Sequence, residues 1–342
     1  MNYSIKENKR WKILDSSYIH NIFNKETGLN MTWGKTKEEN PDHCPFGPLI
    51  LDIEVTTICK NGCPFCYKSN TANGKNMSFE TFKKVLDKMP RTLTQAAFGA
   101  DSGATSNPDL WKMMDYCRNH PTNPIVPNIT VADITDDTAD KLAKYCGAVA
   151  CSRYEDKNPC YDSVKKLVDR GMTQVNIHQM ISKETLNQTK ETLSDSKTDP
   201  RLSGLNAIVL LSLKKKGRGT GFTPLTQDEF KELVDFAFDI GVNLGFDSCG
   251  CNKFLEAVKD RPDFERLEMM AEPCESSLFS SYIDVDAKFS PCSFCGGQGD
   301  WKQGIDVANC KDFLKDVWHN KRVKAFREKL LKCNRNCPVF EV

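Results

Sequence analysis

Three cysteines, Cys59, Cys63 and Cys66, crowd into the run CKNGCPFCY, and their number matters more than their proximity. Four thiolates would close a tetrahedral zinc site or saturate a four-iron cluster, whereas three leave one iron with an open coordination position for a substrate or cofactor. Intervals of three and two residues let one tight loop wrap three corners of a cubane, with Gly62 relieving backbone crowding. The other arrangement open to these thiols is a structural zinc knob, completed by a distant residue such as Cys44.

The elements that must hold this loop are legible around it. It follows an apolar stretch, Leu49 to Thr57 (LILDIEVTT), that reads as a buried strand bounded by turn residues. The thiols therefore lie just beyond a strand's carboxyl end, where α/β proteins place their chemistry. Farther along, apolar β-type runs alternate with stretches that are apolar at helical spacing, the signature of βα units and a parallel sheet. Further strands are expected at Gln95 to Gly99, Ile125 to Val131, Ala148 to Tyr154, Gln174 to Ile181, Asn206 to Leu213 and Asn243 to Asp247. The expected helices include Ser78 to Met89, Pro108 to Cys117, Thr135 to Cys146, Pro159 to Asp169 and Gln227 to Ile240, several opened by cap residues or proline. About seven strands and six helices make an α/β barrel short of the full eight.

The pattern CxxxCxxC, with Phe65 just before the third cysteine, resembles the cluster loop of the radical SAM superfamily. The resemblance implies a partial (β/α)6 TIM barrel over residues 46–250. It implies a 4Fe-4S cluster on Cys59, Cys63 and Cys66, whose free iron is chelated by S-adenosyl-L-methionine. One-electron reduction, from a flavodoxin- or ferredoxin-type donor, then cleaves that cofactor to methionine and a 5'-deoxyadenosyl radical. Phe65 would touch adenine. FGADSGATSNPD stands where the family carries a GGE-type turn, so Gly99, Ala100 and Asp101 are the candidates for the methionyl amino group, with Asp for Glu and Ala for the second Gly. The segment ACSRYED offers Ser152, and behind it Arg153, to the ribose or carboxylate. The stretch LLSLKKKGRG resembles one near adenine in SPASM-type enzymes, and its lysines read as a solvated loop.

Eight of the sixteen cysteines fall between Cys249 and Cys337, which marks a boundary near residue 251. Ser280 to Val285, a turn at Asp286 to Lys288 and FSPC read as a β-hairpin, followed by a helix over Lys311 to Leu331 and then CNRNC. The arrangement resembles the twitch or SPASM extension of many radical SAM enzymes. By that resemblance residues 251–342 form a small domain with an auxiliary 4Fe-4S cluster on Cys274, Cys292, Cys333 and Cys337. Cys249, Cys251, Cys295 and Cys310 are four further thiols, and a structural zinc ribbon is the other arrangement open to this segment.

At the expected barrel mouth, GFDSCGC supplies Cys249 and Cys251, thiols suited to donating a hydrogen atom to a substrate radical or to ligating a cluster, and Asp247 as a candidate base. In QVNIHQMIS, alternation places Asn176, His178 and Met180 on one face, so His178 is either a substrate contact or a hydrogen-bonded core residue. Residues 1–45 contain SSYIHNIF, a turn at NKETG and LNMTW, a hairpin whose edge could accept an extended peptide.

A net charge of +1 on 342 residues gives no broad pull toward nucleic acid or membrane. Neither a signal-peptide pattern nor a bilayer-length apolar run is present, so a soluble, cytoplasmic protein is expected, in which sixteen cysteines suit metal ligation better than disulfides. The function these readings imply is a radical SAM enzyme that modifies a peptide or protein by crosslinking, oxidation or epimerisation, because auxiliary extensions are frequent among peptide maturases. A small molecule or nucleotide is the alternative substrate, and a non-catalytic iron-sulfur or zinc protein the second alternative.

Overall fold

In the computed structural model, which describes residues 2–36, 38–99 and 103–340, the chain opens with an antiparallel meander: β1 (Tyr3–Glu7), β2 (Trp11–Ser16), β3 (His20–Asn24) and β4 (Asn30–Trp33). Two-residue alternation sorts its faces. Lys12 and Leu14 on β2 and Asn21 and Phe23 on β3 turn inward, while Ile13 and Met31 stay exposed. The expected hairpin is thus the second half of a four-stranded sheet. Lys12 fastens that sheet to the barrel, its buried ammonium donating to the Leu93 carbonyl at 2.7 Å and to Asn123.

The barrel is built from alternating units: β5 (Ile50–Ile53), α1 (Phe79–Leu86), β6 (Gln95–Phe98), α2 (Leu110–Arg118), β7 (Val126–Val131), α3 (Asp136–Tyr145), β8 (Ala148–Ser152), α4 (Asn158–Val168), β9 (Val175–Ile181), α5 (Leu186–Thr198), β10 (Ala207–Ser212), α6 (Gln227–Asp239) and β11 (Leu244–Phe246). All neighbouring strands pair in parallel. Helix starts follow their cap residues: Ser78, Thr135 and Thr226 accept from backbone N–H groups of the first turn, and Thr226 with Glu229 completes a capping box. The apolar faces read from periodicity are the buried ones, Phe82, Val85 and Leu86 on α1 and Phe230, Leu233, Val234 and Ala237 on α6. They meet alternate strand residues, among them Leu51, Ile53, Val149, Val175, Ile177 and Ile208, all fully buried. The core is therefore the layer between sheet and helices, where each large aliphatic side chain contributes about 1.5–3 kcal/mol.

The chain then forms α7 (Cys251–Val258), α8 (Phe264–Met270), β12 (Ser280–Ile283), β13 (Lys288–Ser290), β14 (Ile305–Asp306) and α9 (Lys321–Lys332). β12 pairs in parallel with β5, Ser280 opposite Ile50 and Ile283 opposite Ile53. One sheet of ten strands results, ordered β11-β10-β9-β8-β7-β6-β5-β12-β13-β14. The cysteine-rich C-terminal segment therefore continues the barrel's own sheet, and the barrel stays open, since β11 pairs only with β10 among the described residues. The helix expected over Lys311 to Leu331 is divided into a π turn at Leu314–Trp318 and α9, with Asn320 capping the second piece. Among the described residues no helix is long and apolar enough to cross a membrane.

Candidate active site

Beyond β5, bridges from Thr56 to Asn76 and from Ile58 to Thr71 pinch the chain into the cysteine loop. Within it, Cys59 N–H donates to Thr71 O at 2.8 Å and Cys66 N–H to Cys63 O at 3.3 Å. Gly62 takes φ +61, the left-handed conformation that so tight a turn demands. All three thiols border one cavity of about 520 Å³. Over the loop lies the stretch after β10. Arg218 Nε donates to Cys63 O at 2.8 Å, and a Cβ on Gly217, at φ +58, would lie 2.5 Å from Tyr67 O. This stretch is not the solvated loop that its run of charge suggests: Lys214 is buried and Lys216 donates to two backbone carbonyls.

The rest of the cavity is the barrel interior, lined by Asp52 from β5, Asn128 and Thr130 from β7, Ser152 from β8, Asn176, His178 and Met180 from β9, and Ser212 from β10. The three residues placed on one face of β9 by alternation do share the cavity. Burial disfavours the charged forms of the deep ionisable groups, pushing Asp52 up to about 7, with Cys292 adding to that shift, and His178 down to about 4, with Asp247 working against the second shift. His178 Nδ1 lies 3.5 Å from Thr130 Oγ1. At the mouth, Asp247 accepts from Ser212 Oγ at 2.9 Å and Gly250 N–H at 3.1 Å and pairs with Lys214. Burial opposes the Lys214 charge, but Asp247 and Cys249 together more than offset this and its pKa is raised. Cys249 borders the same space, its thiol pushed well above the ordinary range by burial. Cys251 opens α7, fully buried and pushed up to about 12, and does not border the cavity.

Phe65 lies at the lip, its ring centroid 6.1 Å from Tyr154 and 5.9 Å from Phe222. Arg153 is occupied behind Ser152, donating to Glu191 and to the Glu155 carbonyl, each at 3.0 Å. Gly99 takes φ +144 and donates to Ile53 O at 3.0 Å, next to the root of the cysteine loop. Ala100 and Asp101 lie outside the described residues.

A second group of thiols, Cys274, Cys292, Cys295 and Cys337, borders a cavity of about 170 Å³ that shares Asp52, Lys214, Ser248, Cys249, Ser293 and Phe294 with the first. Cys292 and Cys295 sulfurs are 3.4 Å apart, and hydrogen bonding from Cys295 draws the Cys292 thiol below its ordinary range. Cys333 is not in this group. Its Sγ faces the carbonyls of Lys329, Leu330 and Asn336 at 3.1–3.3 Å, at the end of α9. Cys295 stands where Cys333 was expected, and its signal was the CxxC spacing from Cys292. Cys310 and Cys44 border neither cavity; Cys44 is fully buried beneath Trp318, whose Nε1 donates to its carbonyl at 2.8 Å. Sequence reasoning also missed Asp52 and Lys214, although a lone aspartate inside the apolar run LILDIEVTT was a visible anomaly.

Three soft thiols on one loop at the edge of a cavity are a donor set that fits an iron-sulfur cluster. Among the described residues no three His, Cys, Asp or Glu side chains gather tightly enough to hold a single metal ion. A cubane binds its thiolates at separate irons, farther apart than the ligands of one ion.

No protein-family model matches the chain, and no curated protein matches it. Among solved structures it is similar to methylornithine synthase (PylB), with a TM-score of 0.46, 13% identity and coverage of 84% of this chain and 83% of that one. It is similar to BtrN in complex with AdoMet and 2-DOIA, with a TM-score of 0.43, 12% identity and coverage of 83% and 87%. It is also similar to HydG, a maturase of the FeFe hydrogenase, with a TM-score of 0.40, 17% identity and coverage of 86% and 78%.

Proposed function

We propose that this chain is a radical SAM enzyme acting on a substrate held inside its open barrel. The observation that carries the proposal is that Cys59, Cys63 and Cys66 border the same cavity into which the barrel strands present Asp52, Asn128, Asn176 and His178. In this reading the three thiolates hold a 4Fe-4S cluster, with S-adenosylmethionine on the side of Phe65, Gly99 and Ser152. When bound, that pair supplies one-electron chemistry that ends in abstraction of a hydrogen atom from a substrate carbon.

The chain's own residues do the positioning. Phe65, flanked by Tyr154 and Phe222, offers an aromatic surface to a purine. Asp247, held by Ser212 and Gly250, fixes the buried Lys214 ammonium at the mouth. Cys249 keeps its proton at neutral pH because burial raises its pKa, so an S–H faces the cavity ready for donation. Ala148, Ala150, Met180 and Leu211 exclude water around these groups. Cys274, Cys292, Cys295 and Cys337 are the ligands we assign to an auxiliary cluster, on the support of their common cavity.

Substrate class is argued from the lining. A cavity of about 520 Å³ inside a barrel admits a small molecule or one residue of a peptide. The cluster of hydrogen-bonding groups on its floor favours a small hydroxyl- or amine-bearing molecule over the peptide expected from the C-terminal extension. The test is anaerobic reconstitution followed by S-adenosylmethionine binding, 5'-deoxyadenosine formation, and deuterium transfer from labelled small polar metabolites and peptides. Binding lost in Cys66→Ala supports the reading. A filled, reducible cluster that binds no S-adenosylmethionine overturns it.

A further inference from the structure

The segment 214–219 (KKKGRG) touches both groups of thiols through different side chains. Toward the first, Arg218 N–H donates to Cys66 O at 3.0 Å, and its guanidinium to Cys63 O at 2.8 Å and Asn70 O at 3.4 Å. Gly217 leaves no room for a side chain against Cys66 O and Tyr67 O, so the two backbones are in contact. Toward the second, Lys216 Nζ donates to Phe294 O and Gly296 O, each at 2.8 Å, bracketing the turn that carries Cys295. The Lys214 ammonium lies 4.7 Å from the centre of the Phe294 ring. The two thiol-bearing loops also meet directly, Tyr67 Oη donating to Ser293 Oγ at 3.0 Å. Two backbone turns are thus held by cations mounted two residues apart on one strand-to-helix connection.

We propose that segment 214–219 is a clamp coupling the two thiol sites, so that ordering one orders the other, with Arg218 and Lys216 as its positioning residues. Charge-assisted bonds to loop carbonyls restrict each loop only while its partner cation is itself held. Filling either site with metal fixes its loop, fixes the clamp, and so removes part of the ordering penalty at the other site. Coupling of this kind is usually worth about 5- to 150-fold. The metal-filled form of the argument rests on the function proposed above, whereas the clamp itself does not.

Hydrogen exchange read by mass spectrometry tests both. In the metal-free, reduced protein, Arg218→Met is expected to speed amide exchange about fivefold or more in residues 63–70 and also in 292–296, across the clamp. Acceleration confined to 63–70 overturns the clamp whatever the function. The second arm uses a variant with Cys59, Cys63 and Cys66 all replaced by alanine, loaded with ferrous iron and sulfide. Loading should slow exchange at 292–296 and at 63–70, and adding Lys216→Met should abolish the second effect while sparing the first. Protection at 63–70 that survives Lys216→Met overturns the coupling. Failure of wild type to take up iron and sulfide counts against the proposed function, and the metal-free arm then decides the clamp alone.

Discussion

Asp52 and His178 face one cavity from two strands, and burial drives them in opposite directions, Asp52 from 3.8 up to about 7 and His178 from 6.5 down to about 4. Between pH 4 and 7 folded Asp52 holds a proton that the unfolded chain has released, so its contribution to stability falls as pH rises. At about 1.4 kcal/mol per pH unit the ceiling is about 4 kcal/mol, since water in the cavity screens the carboxylate. His178 has the reverse sign. The unfolded chain binds a proton between pH 4 and 6.5 that the folded chain refuses, so stability rises with pH, by at most about 3 kcal/mol. In the wild type the two slopes nearly cancel. Urea unfolding of the metal-free, reduced protein at half-unit steps from pH 4 to 7 separates them when each variant is referred to wild type at the same pH. Relative to wild type, Asp52→Asn should gain stability as pH rises across the window, and His178→Asn should lose it up to pH 6.5. Curves parallel to wild type for both variants would refute the claim that the cavity holds these groups neutral.

Three further outcomes are expected from particular contacts. In the metal-free protein at pH 7, Cys292 should be alkylated by iodoacetamide before Cys249, since the Cys295 hydrogen bond lowers one thiol and burial raises the other; mass spectrometry of partly labelled protein reads the order. Cys66→Ala should lower bound iron and sulfide and remove 5'-deoxyadenosine formation, while leaving the urea midpoint of the metal-free protein nearly unchanged, because Cys66 is only partly buried. Leu51→Ala, at a fully buried position in the layer between sheet and helices, should cost about 2–5 kcal/mol in the same urea assay.

What the sequence made legible were segments whose partners are generic. Each of the strands β5 to β11 carries apolar residues that any covering helix would bury, so local pattern alone exposes it. α5 went unread because its buried face carries Thr189 and Thr192, whose hydroxyls return to the helix's own carbonyls at 2.9 Å. No apolar period marks such a face. β1 and β2 were missed for a related reason, since one of the two inward positions of β2 is taken by Lys12, whose partners Leu93 and Asn123 lie far along the chain. The lysines after β10 looked solvated because a run of charge usually is, and only the fold brings Asp247 to Lys214 and the Phe294 and Gly296 carbonyls to Lys216. In the thiol sites, local spacing identified Cys59, Cys63 and Cys66 as one group. Placing Cys295 rather than Cys333 in the second group needed the direction of a side chain at a helix end, which spacing does not carry.

The place of the second thiol group is set by the barrel's failure to close. β12 pairs with β5, so the sheet grows away from β11 and, among the described residues, leaves no strand along that seam. A further strand there would have closed it with a ladder of backbone hydrogen bonds, which offers no chemistry. Instead the gap is walled by side chains from four separate stretches: Ser248 and Cys249 beyond β11, Cys274 to Ser276 before β12, Cys292 to Cys295 after β13, and Cys337, Pro338 and Phe340 after α9. Side chains from distant segments are individually replaceable, whereas a ladder position is not, so a seam is where a barrel can accept several thiols without losing its sheet. It is also where those thiols share walls with the central cavity, through Asp52, Lys214 and Cys249. Replacing the second group should therefore alter the reactivity of Cys249 while sparing the parallel sheet, an outcome that alkylation rates and far-ultraviolet circular dichroism on one variant would read together.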